Sequence, residues 1–132
     1  MIKDSFEIWD WNITILYECT CNDINIIIET LKDIYCPKKY IKEAVSNLER
    51  CNLNTGLTYS NLKLRSSVIV ISKTSSVKQL INTISHEYYH LLCHISVTLE
   101  IKDEEKLATL CGDLNMHSYK VVEDLIKGVG SE

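Results

Sequence analysis

Residues 76–95, SVKQLINTISHEYYHLLCHI, constrain the fold of this chain more than any other stretch. Ser76 followed by Gln79 reads as a capping box, the start signal of a helix. Val77, Leu80, Ile81, Ile84, Tyr88, Leu91, Leu92, Ile95 and Leu99 then recur at helical spacing. At about 100° per residue they gather on one side, which must be buried against other elements. His86 and His90 fall roughly opposite, one turn apart, and face a cleft.

His86, Glu87 and His90 form the pattern H-E-x-x-H. Two imidazoles one turn apart on a helix can share one zinc ion at about 2.0 Å. Glu87, about 100° round the helix from His86, is placed beside such a metal rather than on it. That is the position of a general base that takes a proton from an activated water. His94 extends the row, but about 12 Å along the axis from His86 it is too distant to share the ion. It reads as a cleft-edge or supporting group, or as a merely exposed side chain.

The rest of the chain supplies a small α+β unit. A length of 132 residues, 45% apolar and 24% charged, fits a single domain over residues 1–132 with a sizeable core. Trp9, Trp11, Ile13, Ile15 and Tyr17 alternate with Asp10, Asn12, Thr14 and Leu16 as a first strand. Asn22 reads as an N-cap for a helix carrying Ile24, Ile27, Ile28, Leu31 and Ile34, and Pro37 ends it and opens a second. That helix carries Tyr40, Ile41, Ala44, Val45, Leu48 and Cys51, and stops at residues 54–56, where Gly56 suits a left-handed or open turn. A loosely alternating strand with Leu57, Tyr59, Leu62 and Leu64 precedes Val68, Ile69, Val70 and Ile71, an unbroken apolar run that predicts a strand covered on both faces. After charged residues 102–105, Leu107, Leu110, Cys111, Leu114, Val121 and Leu125 mark a last helix with a frayed tail over residues 128–132. The predicted order is β-α-α-β-β-α-α.

A net charge of -4 argues against non-specific binding to nucleic acid, which requires a basic surface. No apolar run approaches a membrane span, and no secretory signal is recognisable at the amino terminus. The expected location is cytoplasmic, or packaged in a virion. The six cysteines are therefore expected to be reduced and mostly buried, with Cys19 and Cys21 a weak candidate for a structural metal site.

Two histidines leave a zinc short of a third protein ligand. Glu105 is the candidate, with Glu104 as its competitor: Ala108 and Gly112 make the same helix face small, which would let the last helix approach the H-E-x-x-H helix; the alternative is that Glu104 and Glu105 are a solvated first turn favoured by the helix dipole. His86, Glu87, His90 and Glu105-x-x-Ala108 resemble a gluzincin, the metallopeptidase group in which a glutamate from a following helix completes the site. Residues 54–56, Tyr59 to Asn61, the Val68 to Ile71 run, Asn82 to Ile84, and Glu105 through Gly112 are similar to short zincin-like proteins of phages and prophages of gut bacteria. The resemblance implies a minimal zincin-like domain, Zn2+ as cofactor and a peptide or protein as substrate, which could pair with the Val68 to Ile71 strand.

The pattern also departs from its relatives. Ser96 stands where a metzincin requires histidine, and Thr109 stands where thermolysin-like gluzincins carry an aspartate. Thr109 or Asp113 could take over the supporting role, and His117, Tyr119 or Tyr59 could stabilise an oxyanion. Three readings follow: a zinc metallopeptidase with Glu87 as base; a zincin-fold structural or interaction protein of a virion or cargo, whose metal site is vestigial or serves folding; and a regulatory peptidase of a mobile element that cleaves one specific protein.

Overall fold

A computed structural model describes residues 1–130, with the side chains of residues 129 and 130 left aside. The chain is a mixed α and β protein: a four-stranded sheet with helices on both faces. In order come β1 (Ile2–Ile8), β2 (Trp11–Cys19), α1 (Ile24–Asp33), α2 (Lys38–Glu49), β3 (Gly56–Asn61), β4 (Ser66–Ser72), α3 (Val77–Thr98) and α4 (Glu104–Gly130). The sheet order is β1-β2-β4-β3, with β2 and β4 parallel and both outer pairs antiparallel.

The amino terminus holds one strand more than the alternation predicts. The expected strand through Trp9 is a hairpin: Trp9 and Asp10 both adopt left-handed backbone, φ 52° and 61°, and turn β1 into β2. Both central residues of such a two-residue turn need positive φ, usually signalled by Asn-Gly or Asp-Gly. Trp-Asp carries no such signal. The strand β1 is largely exposed, so its sequence also lacks a strong apolar alternation.

The two faces of the sheet build separate cores. Trp11, Ile13, Ile15, Ile69 and Ile71 point to α3 and α4, where Leu80, Ile84, Tyr88, Leu91, Ile95, Leu110 and Leu114 meet them. Leu16, Val68 and Val70 point the other way, to Ile27 and Leu31 of α1 and Ile41, Val45 and Leu48 of α2. The double covering explains the unbroken apolar run of β4. All four of its central residues, Val68 to Ile71, are 1% exposed or less.

The helix starts follow local chemistry. Ser76 caps α3, its hydroxyl accepting the Gln79 N–H at 3.2 Å. Pro37 immediately precedes α2, as expected. The turn before α1 is capped by Thr20 with Asp23, not by Asn22. The left-handed or open turn expected at Gly56 falls at Asn54, with φ 62°, and Gly56 lies instead within β3. The helix α4 runs on through Gly130, so the predicted fraying at residues 128–130 is helix, and that of residues 131–132 lies outside the described residues.

The cysteine expectation is corrected at one pair. Cys21 and Cys51 form a disulfide across 30 residues, tying the turn before α1 to the end of α2. Cys19 and Cys36 are free and buried, Cys93 is half-buried and Cys111 is exposed. The spacing of Cys21 and Cys51 carries no sign of the pairing, because it depends on α1 and α2 folding back together. No helix among the described residues is long and apolar enough to cross a membrane.

Candidate metal and general-base site

The helix α3 sorts its residues into three directions. Tyr88, Leu91 and Ile95 enter the core, Glu87 and His94 face β3, and His86 and His90 are exposed. The Nε2 atoms of His86 and His90 converge to 3.2 Å, with ring centroids 4.8 Å apart. Two nitrogens bound tetrahedrally at about 2.0–2.1 Å from one ion stand about 3.3 Å apart. The 3.2 Å separation matches that spacing, and without an ion it is also that of a hydrogen bond between the two rings.

Glu87 is 4% exposed although it is a carboxylate. A buried carboxylate needs partners. Thr58 supplies one: its hydroxyl donates to Glu87 Oε1 at 2.9 Å and lies 3.2 Å from the Glu87 carbonyl. Oε2 is left 3.9 Å from His86 Nε2. Gly56 completes the cradle, since a Cβ there would stand 2.9 Å from both Glu87 Cγ and Oε2. Only a residue without a side chain lets β3 run this close to the carboxylate.

The strand β3 thus presents alternate residues, Gly56, Thr58 and Ser60, to α3, while Leu57 and Tyr59 pack toward α1 and α2. Ser60 Oγ lies 2.7 Å from His94 Nδ1. Burial, and next the neighbouring His90, hold the His94 pKa below its ordinary value. At the outer margin Tyr40 donates to the Thr58 carbonyl at 3.1 Å. Burial first, then Cys36 and Glu87, push the Tyr40 hydroxyl pKa up.

The sheet order corrects the expected substrate margin. The strand β4 pairs on both sides, so the Val68 to Ile71 run has no free edge for a peptide. The sheet edge beside Glu87 is β3. Gly56, Thr58, Ser60 and Tyr40 are the site residues that sequence reasoning missed. The signal was present in Gly56-x-Thr58-x-Ser60, small or hydroxylated at every second position of a strand.

The last helix does not bring Glu105 to the histidines. Glu104 and Glu105 are exposed, the Glu105 N–H donates to Asp103 Oδ1 at 2.8 Å, and its carbonyl accepts the Thr109 hydroxyl at 2.9 Å. Helix register explains this. Tyr88 donates to Ser118, so Ser118 is level with the motif, and Glu105 lies 13 positions earlier, roughly 20 Å along α4. The small face of α4 is not a helix contact either: Ala108 is exposed, and a Cβ on Gly112 would meet nothing within 4 Å. Among the described residues no group of three or more His, Cys, Asp or Glu is arranged to hold a metal. His86 and His90, the two expected histidine ligands, stand side by side, and the expected third ligand, Glu105, is not with them.

The other candidates have different partners. Asp113 Oδ2 accepts the Trp9 indole N–H at 2.9 Å, anchoring α4 to the β1-β2 turn. His117 stacks on Phe6 with centroids 5.1 Å apart. Tyr119 is 62% exposed, and Tyr59 packs by Tyr40 on the opposite face of β3 from Glu87. Thr109 serves the backbone of its own helix. Comparison of the chain with protein-family models, with curated proteins and with solved structures finds no match.

Proposed function

We propose that this chain is a zinc-dependent peptidase in which His86 and His90 hold the metal and Glu87 is the general base. The observation that carries the reading is the convergence of the two Nε2 atoms to 3.2 Å beside a buried glutamate whose Oε2 is 3.9 Å from His86. Zinc, when bound, supplies acidification of a water and polarisation of a carbonyl. Glu87 takes up the proton of the attacking water and returns it to the leaving amine. Thr58 fixes Oε1, so that Oε2 is the oxygen free to exchange that proton. Gly56 keeps the space that this rotamer needs.

The substrate class is an extended peptide, for which the outer edge of β3 is the neighbouring sheet margin. Tyr40 already bonds the Thr58 carbonyl there, so pairing at that residue requires the tyrosine to swing aside. The test is metal analysis beside cleavage of casein. One zinc per chain in both wild type and Glu87→Gln, with cleavage only in the former, supports the reading. Equal cleavage by Glu87→Gln overturns it.

A second reading has one observation in its favour, the position of Glu105 away from His86 and His90. On it the chain is a zincin-like structural or interaction protein of a virion or mobile element, and metal on two histidines stabilises the fold by linkage without turnover. Zinc-dependent thermal stability without cleavage of any protein offered, including candidate repressors or host partners, distinguishes it from both peptidase readings.

A further inference from the structure

Behind His94 lies a chain of hydrogen bonds that starts in the core. The Trp11 indole N–H donates to Ser67 Oγ at 2.8 Å, Ser67 Oγ lies 2.6 Å from Ser60 Oγ, and Ser60 Oγ lies 2.7 Å from His94 Nδ1. Trp11 is fully buried and Ser67 is 1% exposed. The indole nitrogen can only donate, so its end of the chain fixes the direction of the rest.

Two directions are conceivable beyond Ser67. If Ser60 donated to Ser67, then Ser67 Oγ would accept from both of its partners and its own proton would be left without an acceptor in a buried site. His94 Nδ1 would then have to donate to Ser60. In the opposite direction every proton is used: Trp11 to Ser67, Ser67 to Ser60, and Ser60 to His94 Nδ1. A neutral imidazole that accepts at Nδ1 carries its proton at Nε2.

We propose that His94 is a substrate-positioning residue, locked by this relay as the Nε2–H tautomer so that it presents a fixed hydrogen-bond donor one turn beyond His90. Its Nδ1 lone pair is taken by Ser60 and its Nε2 carries a proton, so the neutral ring has no lone pair to offer a metal. The acceptor that a donor there suits is a carbonyl of an extended peptide lying along β3. The identity of that acceptor rests on the peptidase reading; the tautomer does not.

The test separates the two. Two-bond proton–nitrogen NMR spectra of histidine-labelled, metal-free protein at mildly alkaline pH report which ring nitrogen is protonated. The expected result is Nε2–H for His94 in the wild type, fast exchange of that proton with solvent, and a tautomer mixture in Ser60→Ala. Ser67→Ala should give the same mixture, and Ser60→Ala keeps the test open should loss of Ser67 unfold the core. An Nδ1–H signal in the wild type overturns the proposal, as does a tautomer unmoved in Ser60→Ala. A slowly exchanging Nε2–H also overturns it, because the donor would then be committed inside the protein. In casein cleavage, His94→Ala should raise KM several-fold and His94→Gln, which retains a donor, should restore it. Loss of activity in the wild type itself counts against the peptidase reading and leaves the NMR result to stand alone.

Discussion

A methyl group on Gly56 would stand 2.9 Å from both Cγ and Oε2 of Glu87, closer than real Cβ contacts come. The strand and the helix are therefore fitted to each other at the one carboxylate that the proposed chemistry needs. Gly56→Ala should displace Glu87 and cost about 1–3 kcal/mol of stability, the range for overpacking a buried site. Zinc content should stay at the wild-type value while cleavage falls by at least tenfold. Unchanged Tm and unchanged cleavage would show that the contact does not constrain the glutamate.

Thr58 should matter through its hydroxyl alone. Thr58→Val keeps shape and removes the donor to Glu87 Oε1. Leaving a buried carboxylate short of a partner costs about 1–3 kcal/mol or more. Denaturant unfolding should register that loss, and Thr58→Ser should recover most of it. A valine variant as stable as the wild type would mean that water replaces the threonine.

Metal retention should divide the candidate ligands. Elemental analysis should find zinc lost in His86→Ala and in His90→Ala. It should be unchanged in Glu105→Ala, because register puts Glu105 roughly 20 Å along α4 from the level of the motif. Loss of zinc in Glu105→Ala would require α4 to dock differently in the metal-bound protein.

The thiols should react in a fixed order. Burial pushes Cys19 up to about 12 and Cys36 up to about 11, so neither offers much thiolate at neutral pH. Exposed Cys111 should alkylate first, and mass spectrometry without reductant should find Cys21 and Cys51 protected. Cys51→Ser should cost about 3–4 kcal/mol on the chain-entropy estimate for a loop of this length, and reducing agent should erase the difference.

Acid should weaken the fold through His94. Burial, then His90, lower its pKa in the folded chain, so the unfolded chain binds the proton more readily. The contribution is fully present above the unfolded value of about 6.5 and is lost as pH falls from there through the lower folded value. Comparison of Tm between wild type and His94→Gln across that window should show a slope that only the wild type has. Parallel curves would contradict the assignment.

What could be read in the chain was whatever repeats within one element. Ser76, the apolar spacing of α3 and the His86, Glu87 and His90 order needed only helical geometry, and the Val68 to Ile71 run announced a strand covered twice. Each of those signals is local: a cap touches a backbone N–H three residues on, and a helical face is set by about 100° per residue. The hairpin at Trp9 and Asp10 was hidden because its turn uses left-handed backbone in residues that do not advertise it.

The site itself divides along the same line. By itself the sequence determined that two imidazoles and a glutamate share one helix in the order H-E-x-x-H. Only the tertiary structure decided what surrounds them: that β3 rather than β4 is the sheet edge beside Glu87, that Gly56 and Thr58 cradle Glu87, that Trp11, Ser67 and Ser60 reach His94, and that Glu105 lies at another level of α4. The physical reason is that strand order and helix register are set by burial of apolar area summed over whole faces, as in the level pairing of Tyr88 with Ser118. No single residue of α4 carries a mark of where along α3 that sum places it.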